Sequence, residues 1–151
     1  MSTQTPIEIL LVEDNENDAE LTMRALKKRN LANYIRWVKD GEEALNFFFG
    51  ADVDTTRTAP QSPKLVLLDL KLPKVNGLEV LRRLKSDERT RNIPVVVMTS
   101  SNQEPDVEKC FQLGANSYII KPVKFEDFSE VVAQLGMYWL VLNHQPKPPL
   151  R

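Results

Sequence analysis

Short apolar runs alternate with longer amphipathic segments along this chain, and the alternation repeats five times. Apolar runs bounded by polar or turn residues predict strands, here at 7–12, 33–38, 65–69, 94–98 and 116–120. Three of these runs, 7–12, 65–69 and 94–98, are almost wholly apolar, which is typical of parallel strands buried on both faces. The other two are weaker and are expected near the sheet edges. The alternation predicts a doubly wound α/β domain, a five-stranded parallel sheet with helices on both faces.

Helices are predicted between the strands, where apolar residues recur at helical spacing. The predicted helices cover 17–29, a short segment after Asp40-Gly41, the segment after Asn76-Gly77, Pro105 to Gly114, and a last helix from about Phe125. The last helix contains "MYWLVLN" (137–143), which is apolar nearly all round. Its apolar surface is larger than one helix face needs for packing on the core, which predicts a further buried contact. This contact would be a homodimer interface at Tyr138 and Trp139, or extra packing against the domain itself.

The length of 151 residues suits one domain, predicted at 7–142 between an N-terminal tail (1–6) and a Pro-rich C-terminal tail (143–151). A Thr- and Pro-rich surface loop is predicted at 50–63.

The formal net charge of −1 gives no reason to expect nucleic acid or an anionic membrane as a partner. A single cysteine, Cys110, excludes an internal disulfide and is expected to be buried. No signal peptide or membrane span is evident, so a cytoplasmic location is predicted.

Polar side chains follow four of the five predicted strands. Glu13 and Asp14 follow the first, Asp69 ends the third, Thr99 and Ser100 follow the fourth, and Lys121-Pro122 follows the fifth. Parallel strands bring their carboxyl ends to one edge of the sheet, where such folds bind ligands. Clustered carboxylates without His or Cys favour Mg²⁺ or Mn²⁺. A metal, an ammonium and a hydroxyl around one carboxylate predict a site for attaching a phosphoryl group to Asp69.

Each part of this set also has an ordinary structural explanation. Glu13-Asp14 alone would be helix-capping acids, and Lys121-Pro122 alone a common surface dipeptide. Asp69 is harder to dismiss, because an acid at the end of "LVLLD" is costly without a purpose. The conjunction of all parts at successive strand ends favours the functional interpretation. Asp18, one turn into the first helix, is interpreted as ordinary N-terminal helix charge.

Four segments, "LLVEDN", "LVLLDLKLPKVNGLEVL", "VVVMTSS" and "SYIIKP", resemble a response-regulator receiver domain of two-component signalling, with the flavodoxin-like (CheY-like) fold. The resemblance covers about residues 7–142. It implies that Asp69 is the phosphoacceptor, that Asp14 and the Lys71 backbone carbonyl are metal ligands, and that Glu13 is a second acid acting through water. It also implies that Pro73 and Gly77 shape the loop after Asp69, and that Thr99 and Tyr118 are switch residues, with Ser100 as the small residue that leaves room beside Thr99. Lys121 would contact the phosphoryl group, and the bond before Pro122 would be cis.

The resemblance also implies a mechanism and partners. A sensor histidine kinase donates the phosphoryl group, Thr99 and Tyr118 shift, and the surface of the fourth helix, fifth strand and fifth helix changes its partners. Such a receiver is a signalling protein that phosphorylates and slowly dephosphorylates itself, with Lys71 and Ser101 as tuning positions, and it can relay phosphate to a phosphotransfer protein. With no output domain expected, it would act alone. The loop before Asp69 and the apolar C-terminal end are similar to regulators paired with cyanobacterial phytochromes.

Three other classes of protein fit this sequence less well. A haloacid-dehalogenase-type phosphohydrolase needs a second Asp two residues after its nucleophile, where this chain has Lys71. A flavodoxin-like cofactor binder needs a Ser, Thr and Gly-rich first loop, whereas 13–18 is acidic. A pseudo-receiver would lack part of the site, and this set is complete. No phosphotransfer role is assigned to His144.

Overall fold

A computed structural model describes residues 7–32, 34–50, 62–122 and 124–144. Within them, five strands and five α-helices alternate, and a π-helix follows the last α-helix. The elements are β1 (Ile9–Val12), α1 (Glu16–Lys28), β2 (Ile35–Val38), α2 (Gly41–Phe49), β3 (Leu65–Leu68), α3 (Gly77–Ser86), β4 (Val95–Thr99), α4 (Glu104–Gln112), β5 (Ser117–Ile120), α5 (Phe125–Gly136) and the π-helix (Met137–Leu142).

The five strands form one parallel sheet in the order β2-β1-β3-β4-β5. The predicted doubly wound α/β fold is therefore confirmed, and the two weaker predicted strands are the edge strands. The chain passes from β1 to β2 on one side and then to β3 on the other side of β1. This reversal creates the topological switch point above the carboxyl ends of β1 and β3, where folds of this kind bind ligands.

Alternate residues of each strand enter two separate hydrophobic cores, one on each face of the sheet. Leu10 and Val12 face the core formed with α2, α3 and α4. Ile9 and Leu11 face the core formed with α1 and α5. Residues of β1, β3 and β4 are buried throughout, which explains their continuous apolar sequences. Cys110 is fully buried in the first core, as predicted.

Side-chain caps begin three of the helices, and the predicted Gly114 follows the end of a fourth. The side chains of Asn15, Asp40 and Asn76 cap α1, α2 and α3 by accepting backbone N–H groups. Gly114 follows α4 with φ of +106°. The N–H groups of Gly114 and Ala115 donate to the carbonyls of Phe111 and Cys110, which is the Schellman arrangement that favours glycine there.

The C-terminal end of the last helix differs from the single continuous helix that was predicted. At Met137 the α-helix changes to a π-helix that ends at Leu142, and the Asn143 N–H donates to the Tyr138 carbonyl at 2.6 Å. In this segment Tyr138 is 50% exposed. Trp139 and Leu140 are partly buried against the core of α1 and α5. The π-helix could not be predicted, because polar residues at regular spacing are what distinguish one helix type from another and this apolar run has none.

Several predictions concern residues outside the described ranges. These are the N-terminal tail 1–6, most of the 50–63 loop and most of the C-terminal tail. No helix in the described part of the chain is long and apolar enough to cross a bilayer.

Candidate functional site

Two acidic residues lie side by side where β1 and β3 end. The Asp69 N–H donates to the Val12 carbonyl and the Glu13 N–H donates to the Val38 carbonyl, both at 3.1 Å, so the sheet continues to the acids themselves. Glu13, Asp14 and Asp69 each offer a carboxylate oxygen, and these oxygens lie within 4.8 Å of one another. Glu13 and Asp69 are buried, whereas Asp14 is exposed. The predicted acidic cluster therefore forms at the switch point.

Lys121 brings a positive charge into this cluster from the end of β5. Its backbone N–H donates to the Thr99 carbonyl at 2.8 Å, which fixes the residue beside β4. Its Nζ lies 2.7 Å from Glu13 Oε1 and 2.9 Å from both Asp69 Oδ2 and Asp18 Oδ2. All three ammonium N–H donors thus have a carboxylate acceptor. Asp18 lies in the first turn of α1, as expected, but its pairing with Lys121 also makes it part of the site, so helix charge alone does not describe its role.

Electrostatics of the cluster follow from its burial. Burial raises the pKa of Glu13 to about 7, although the hydrogen bond from Lys121 opposes this change. For Lys121, burial lowers the pKa, but hydrogen bonds to Glu13, Asp69 and Asp18 outweigh it and hold the pKa above its usual value. The clustered carboxylates of Glu13, Asp14 and Asp69 form a hard oxygen donor set. This donor set fits a divalent ion such as Mg²⁺ or Mn²⁺.

The loop after β3 closes tightly around Asp69. The Lys71 N–H donates to Asp69 Oδ1 at 3.2 Å, and the Gly77 N–H donates to the Leu70 carbonyl at 2.9 Å. A Cβ atom on Gly77 would lie 2.3 Å from the Asp69 carbonyl oxygen, so only glycine allows α3 to begin this close. The carbonyl of Pro73, in the same loop, accepts the Gly41 N–H at 3.4 Å.

An open cavity of about 550 Å³ lies above these groups. Its lining is Glu13, Asp14, Asn15, Asp18, Asp69, Lys71, Ser100 and Lys121. Exposed Ser100 is therefore at the cavity, whereas the Thr99 side chain beside it is fully buried and does not line it.

Thr99 belongs instead to a chain of polar contacts that leads away from the cavity. Its Oγ1 accepts the Ser101 N–H at 3.4 Å, and the Ser101 carbonyl accepts the Tyr118 hydroxyl at 3.0 Å. The Ser101 hydroxyl also donates to Asp106 Oδ2 at 2.5 Å, which ties the loop to α4. Tyr118 is half-buried against the first core, and burial raises the pKa of its phenol. The two expected switch residues are thus linked through Ser101.

One implied detail differs in the structure. No peptide bond among the described residues is cis, so the bond between Lys121 and Pro122 is trans. A trans bond before proline has the lower energy in the absence of a local constraint.

Sequence reasoning missed two contacts of the site, those of Asp18 and Trp37. The Trp37 indole N–H donates to the Glu13 carbonyl at 2.8 Å and supports the loop after β1. A sequence signal existed for Asp18, because the Asn15 cap makes it the third residue of α1 and directs it toward the strand ends. The Trp37 contact depends on the pairing of Leu11 with Trp37 across β1 and β2, and no motif marks that register.

Comparisons with known proteins agree with this geometry. Residues 9–133 match the family model of the response regulator receiver domain. The chain is 41% identical over 148 residues to a probable methanogenesis regulatory protein, FilR2, of Methanothrix harundinacea, covering 98% of this chain and 93% of FilR2. It is 36% identical over 135 residues to the response regulator Rcp1 of Synechocystis, covering 89% and 90%.

Solved structures of two such regulators have the same fold. The Mn²⁺-bound form of Rcp1 superposes with a TM-score of 0.82 at 34% identity, covering 94% of this chain and 100% of that one. The phosphorylated form of RcpA, a cyanobacterial phytochrome response regulator, also gives a TM-score of 0.82, at 33% identity, covering 95% and 100%. Together with the acidic cluster and its lysine at the switch point, these similarities show that the chain belongs to the response regulator receiver domain family.

Proposed function

We propose that Asp69 accepts a phosphoryl group from a sensor histidine kinase in the presence of Mg²⁺, and that the protein is a response regulator of a two-component phosphorelay. The observation that carries this proposal is the surroundings of Asp69. Its carboxylate is buried at the switch point, contacts Lys121 at 2.9 Å, and shares a cluster with two further acids. This arrangement suits a nucleophile that receives a negatively charged phosphoryl group.

In the proposed reaction, an Asp69 carboxylate oxygen attacks phosphorus while the bond from phosphorus to the donor's histidine nitrogen breaks. A carboxylate nucleophile, unlike a hydroxyl, needs no base to remove a proton before it attacks. Bound Mg²⁺ would be held by Asp14, Asp69 and the Lys71 carbonyl, with Glu13 acting through water, and it would neutralise charge on the phosphoryl oxygens. The Lys121 ammonium offers a second positive charge at the same carboxylate.

The signal would then pass through Thr99 and Tyr118. Because the Thr99 hydroxyl does not line the cavity, it would have to turn toward the phosphoryl group to donate a hydrogen bond. That movement would disturb the Thr99–Ser101 contact and, through the Ser101 carbonyl, the Tyr118 hydroxyl. Ser100 is small enough to leave room for it. Lys71 and Ser101 would tune the rate of self-dephosphorylation.

The proposed phosphoryl donor is a sensor histidine kinase of the phytochrome type, and the proposed location of this protein is the cytoplasm. Support comes from the similarity to RcpA, itself a phytochrome response regulator, over nearly the whole of both chains. A further phosphotransfer protein could receive the group from Asp69. A net charge of −1 gives no support for nucleic acid or an anionic membrane as a partner.

We also propose that the π-helix mediates self-association. Four apolar side chains of this segment are 45% exposed or more: Met137, Tyr138, Val141 and Leu142. Trp139, in contrast, packs partly against the core of its own domain, so Tyr138 is the better candidate for direct contact with a partner.

Incubation with Mg²⁺ and a small acyl phosphate, followed by intact-protein mass spectrometry, tests the proposed function. We expect one added phosphoryl group in the wild type, and none in Asp69→Asn or without Mg²⁺. Rapid release of free phosphate from many phosphomonoesters would instead identify a phosphohydrolase. A wild type that gains no phosphoryl group would point to a docking module without phosphorylation.

A further inference from the structure

Asp18 makes an ion pair with Lys121 that the proposed phosphotransfer chemistry does not itself require. We propose that Asp18 is a positioning residue, which holds the Lys121 ammonium so that Glu13 and Asp69 become available to a divalent cation. This inference rests on the proposed function, because it concerns the same site. It assigns a task to a residue that lies outside the acidic metal cluster.

The backbone around Asp18 fixes where its side chain lies. Its N–H donates to Asn15 Oδ1 at 2.9 Å, and its carbonyl accepts the Thr22 hydroxyl at 2.8 Å. The side chain is 26% exposed and reaches Lys121 Nζ at 2.9 Å. Asp18 is thus held by the first turn of α1 at the side of the cavity, facing the lysine.

The Asp18–Lys121 ion pair should affect cation binding because Lys121 and a divalent cation compete for the same carboxylate oxygens. Lys121 donates to three carboxylates, and two of them, Glu13 and Asp69, also belong to the candidate metal cluster. These two side chains must divide their oxygens between an ammonium and a divalent cation. Asp18 is not a member of that cluster, so it remains an acceptor for Lys121 when a cation is bound. Its charge also offsets repulsion between the ammonium and the cation.

Without Asp18, the lysine would have no side-chain acceptor among the described residues besides the two shared carboxylates. It would then remain on Glu13 and Asp69 and would oppose cation binding. The effect of Asp18 on cation affinity should therefore depend on the presence of Lys121. A general effect of negative charge near the site would not depend on that lysine.

The test is the dissociation constant of Mn²⁺ alone, measured by electron paramagnetic resonance of the free ion. We expect Asp18→Asn to weaken Mn²⁺ binding about tenfold, as is usual for residues that position metal ligands. The matched control is Glu16→Gln, which removes an exposed charge from the same helical turn and should change the constant less than about twofold. In a Lys121→Met background, Asp18→Asn should have almost no further effect. Circular dichroism verifies that each variant is folded, and Lys121→Gln, which also removes the positive charge, replaces Lys121→Met if the latter is not.

Two results would overturn the inference while leaving the proposed function intact. One is equal Mn²⁺ affinity in Asp18→Asn and Glu16→Gln. The other is an undiminished effect of Asp18→Asn in the Lys121→Met background, which would mean that Asp18 acts through its charge alone. A wild type that binds no Mn²⁺ contradicts the proposed function and this inference with it.

Discussion

Lys121 is the residue that joins the carboxylates of Glu13, Asp18 and Asp69 through one ammonium group. Its side chain is only 10% exposed and pairs with carboxylates that are themselves 5%, 8% and 26% exposed. Removing one member of a buried ion pair leaves the remaining charges uncompensated. Lys121 therefore contributes more to stability than an exposed lysine can.

The corresponding prediction concerns Lys121→Met. We expect this change to lower the free energy of unfolding of the metal-free protein by about 3 kcal/mol, the cost of uncompensated buried charge. Urea denaturation with a chelator present measures it. Lys109→Met, at an exposed position of α4, is the control and should change stability by less than about 0.5 kcal/mol. Equal stability of the two variants would contradict the account of Lys121.

Asp14, in contrast to Lys121, should contribute little to stability and much to metal binding. It is exposed, and its oxygen belongs to the acidic cluster. We predict that Asp14→Asn changes the unfolding free energy without metal by less than about 0.5 kcal/mol. The same variant should bind Mn²⁺ at least about tenfold more weakly, because a charged ligand is lost. Thermal unfolding and titration calorimetry are the measurements, and unchanged Mn²⁺ affinity would remove Asp14 from the ligand set.

Among the elements, α3 is the one whose start is fixed most tightly by the site. In Gly77→Ala the new methyl group would meet the Asp69 carbonyl oxygen at 2.3 Å and Leu70 Cα at 2.6 Å. Neither backbone atom can move without displacing the loop that follows Asp69. We expect a loss of about 1–3 kcal/mol in unfolding free energy, as in overpacked sites. Ser86→Ala, at the exposed far end of α3, is the control, and denaturant midpoints compare the two variants.

At its opposite end, α3 is joined to β4 and β5 by Lys85. The Lys85 ammonium donates to the carbonyls of Arg91 and Ile93 and to Asn116 Oδ1, at 3.1, 2.8 and 2.9 Å. Burial lowers its pKa from 10.5 to about 8. Between these two values the unfolded chain binds a proton that the folded chain does not, so stability should rise as the pH increases through this window.

Lys85→Met provides the test of this pH dependence. The variant should lack the Lys85 contribution, so its unfolding free energy should rise less with pH between about 8 and 10 than that of the wild type. Urea denaturation at three pH values gives the comparison, and the exposed Lys109→Met again serves as control. Parallel stability profiles for the wild type and Lys85→Met would show that Lys85 has an ordinary pKa.

Much of the fold could be predicted from the sequence, because the spacing of apolar residues and the apolar content of each segment indicate which residues are buried. Alternating apolar and helical segments gave the strand set and the edge positions of β2 and β5. The rule for parallel sheets then located Glu13, Asp69 and Lys121 at one edge. Less could be predicted where side chains from distant elements meet. The contact of Trp37 with the Glu13 carbonyl requires strand register, and the ion pair of Asp18 with Lys121 requires the orientation of α1.

For the whole molecule, the exposed apolar face of the π-helix leads to a prediction about assembly. We expect a concentration-dependent dimer in sedimentation velocity that is weakened in Tyr138→Ser, because Tyr138 is 50% exposed. Trp139→Ala would also weaken it, but it removes packing within the domain and should lower the melting temperature as well. Phe111→Ser, at an equally exposed position of α4, is the control. Monomeric wild type at all concentrations would exclude this interface.

The central claim is that Asp69 carries the phosphoryl group, and chemical mapping of the modified residue tests it most directly. An aspartyl phosphate is an acyl phosphate, so borohydride reduces it to homoserine, which peptide mass spectrometry can locate. After treatment with an acyl phosphate and Mg²⁺, we predict homoserine at position 69 in the wild type and at no position in Asp69→Asn. Homoserine at any other acidic residue, or an undiminished yield in Asp69→Asn, would contradict the account.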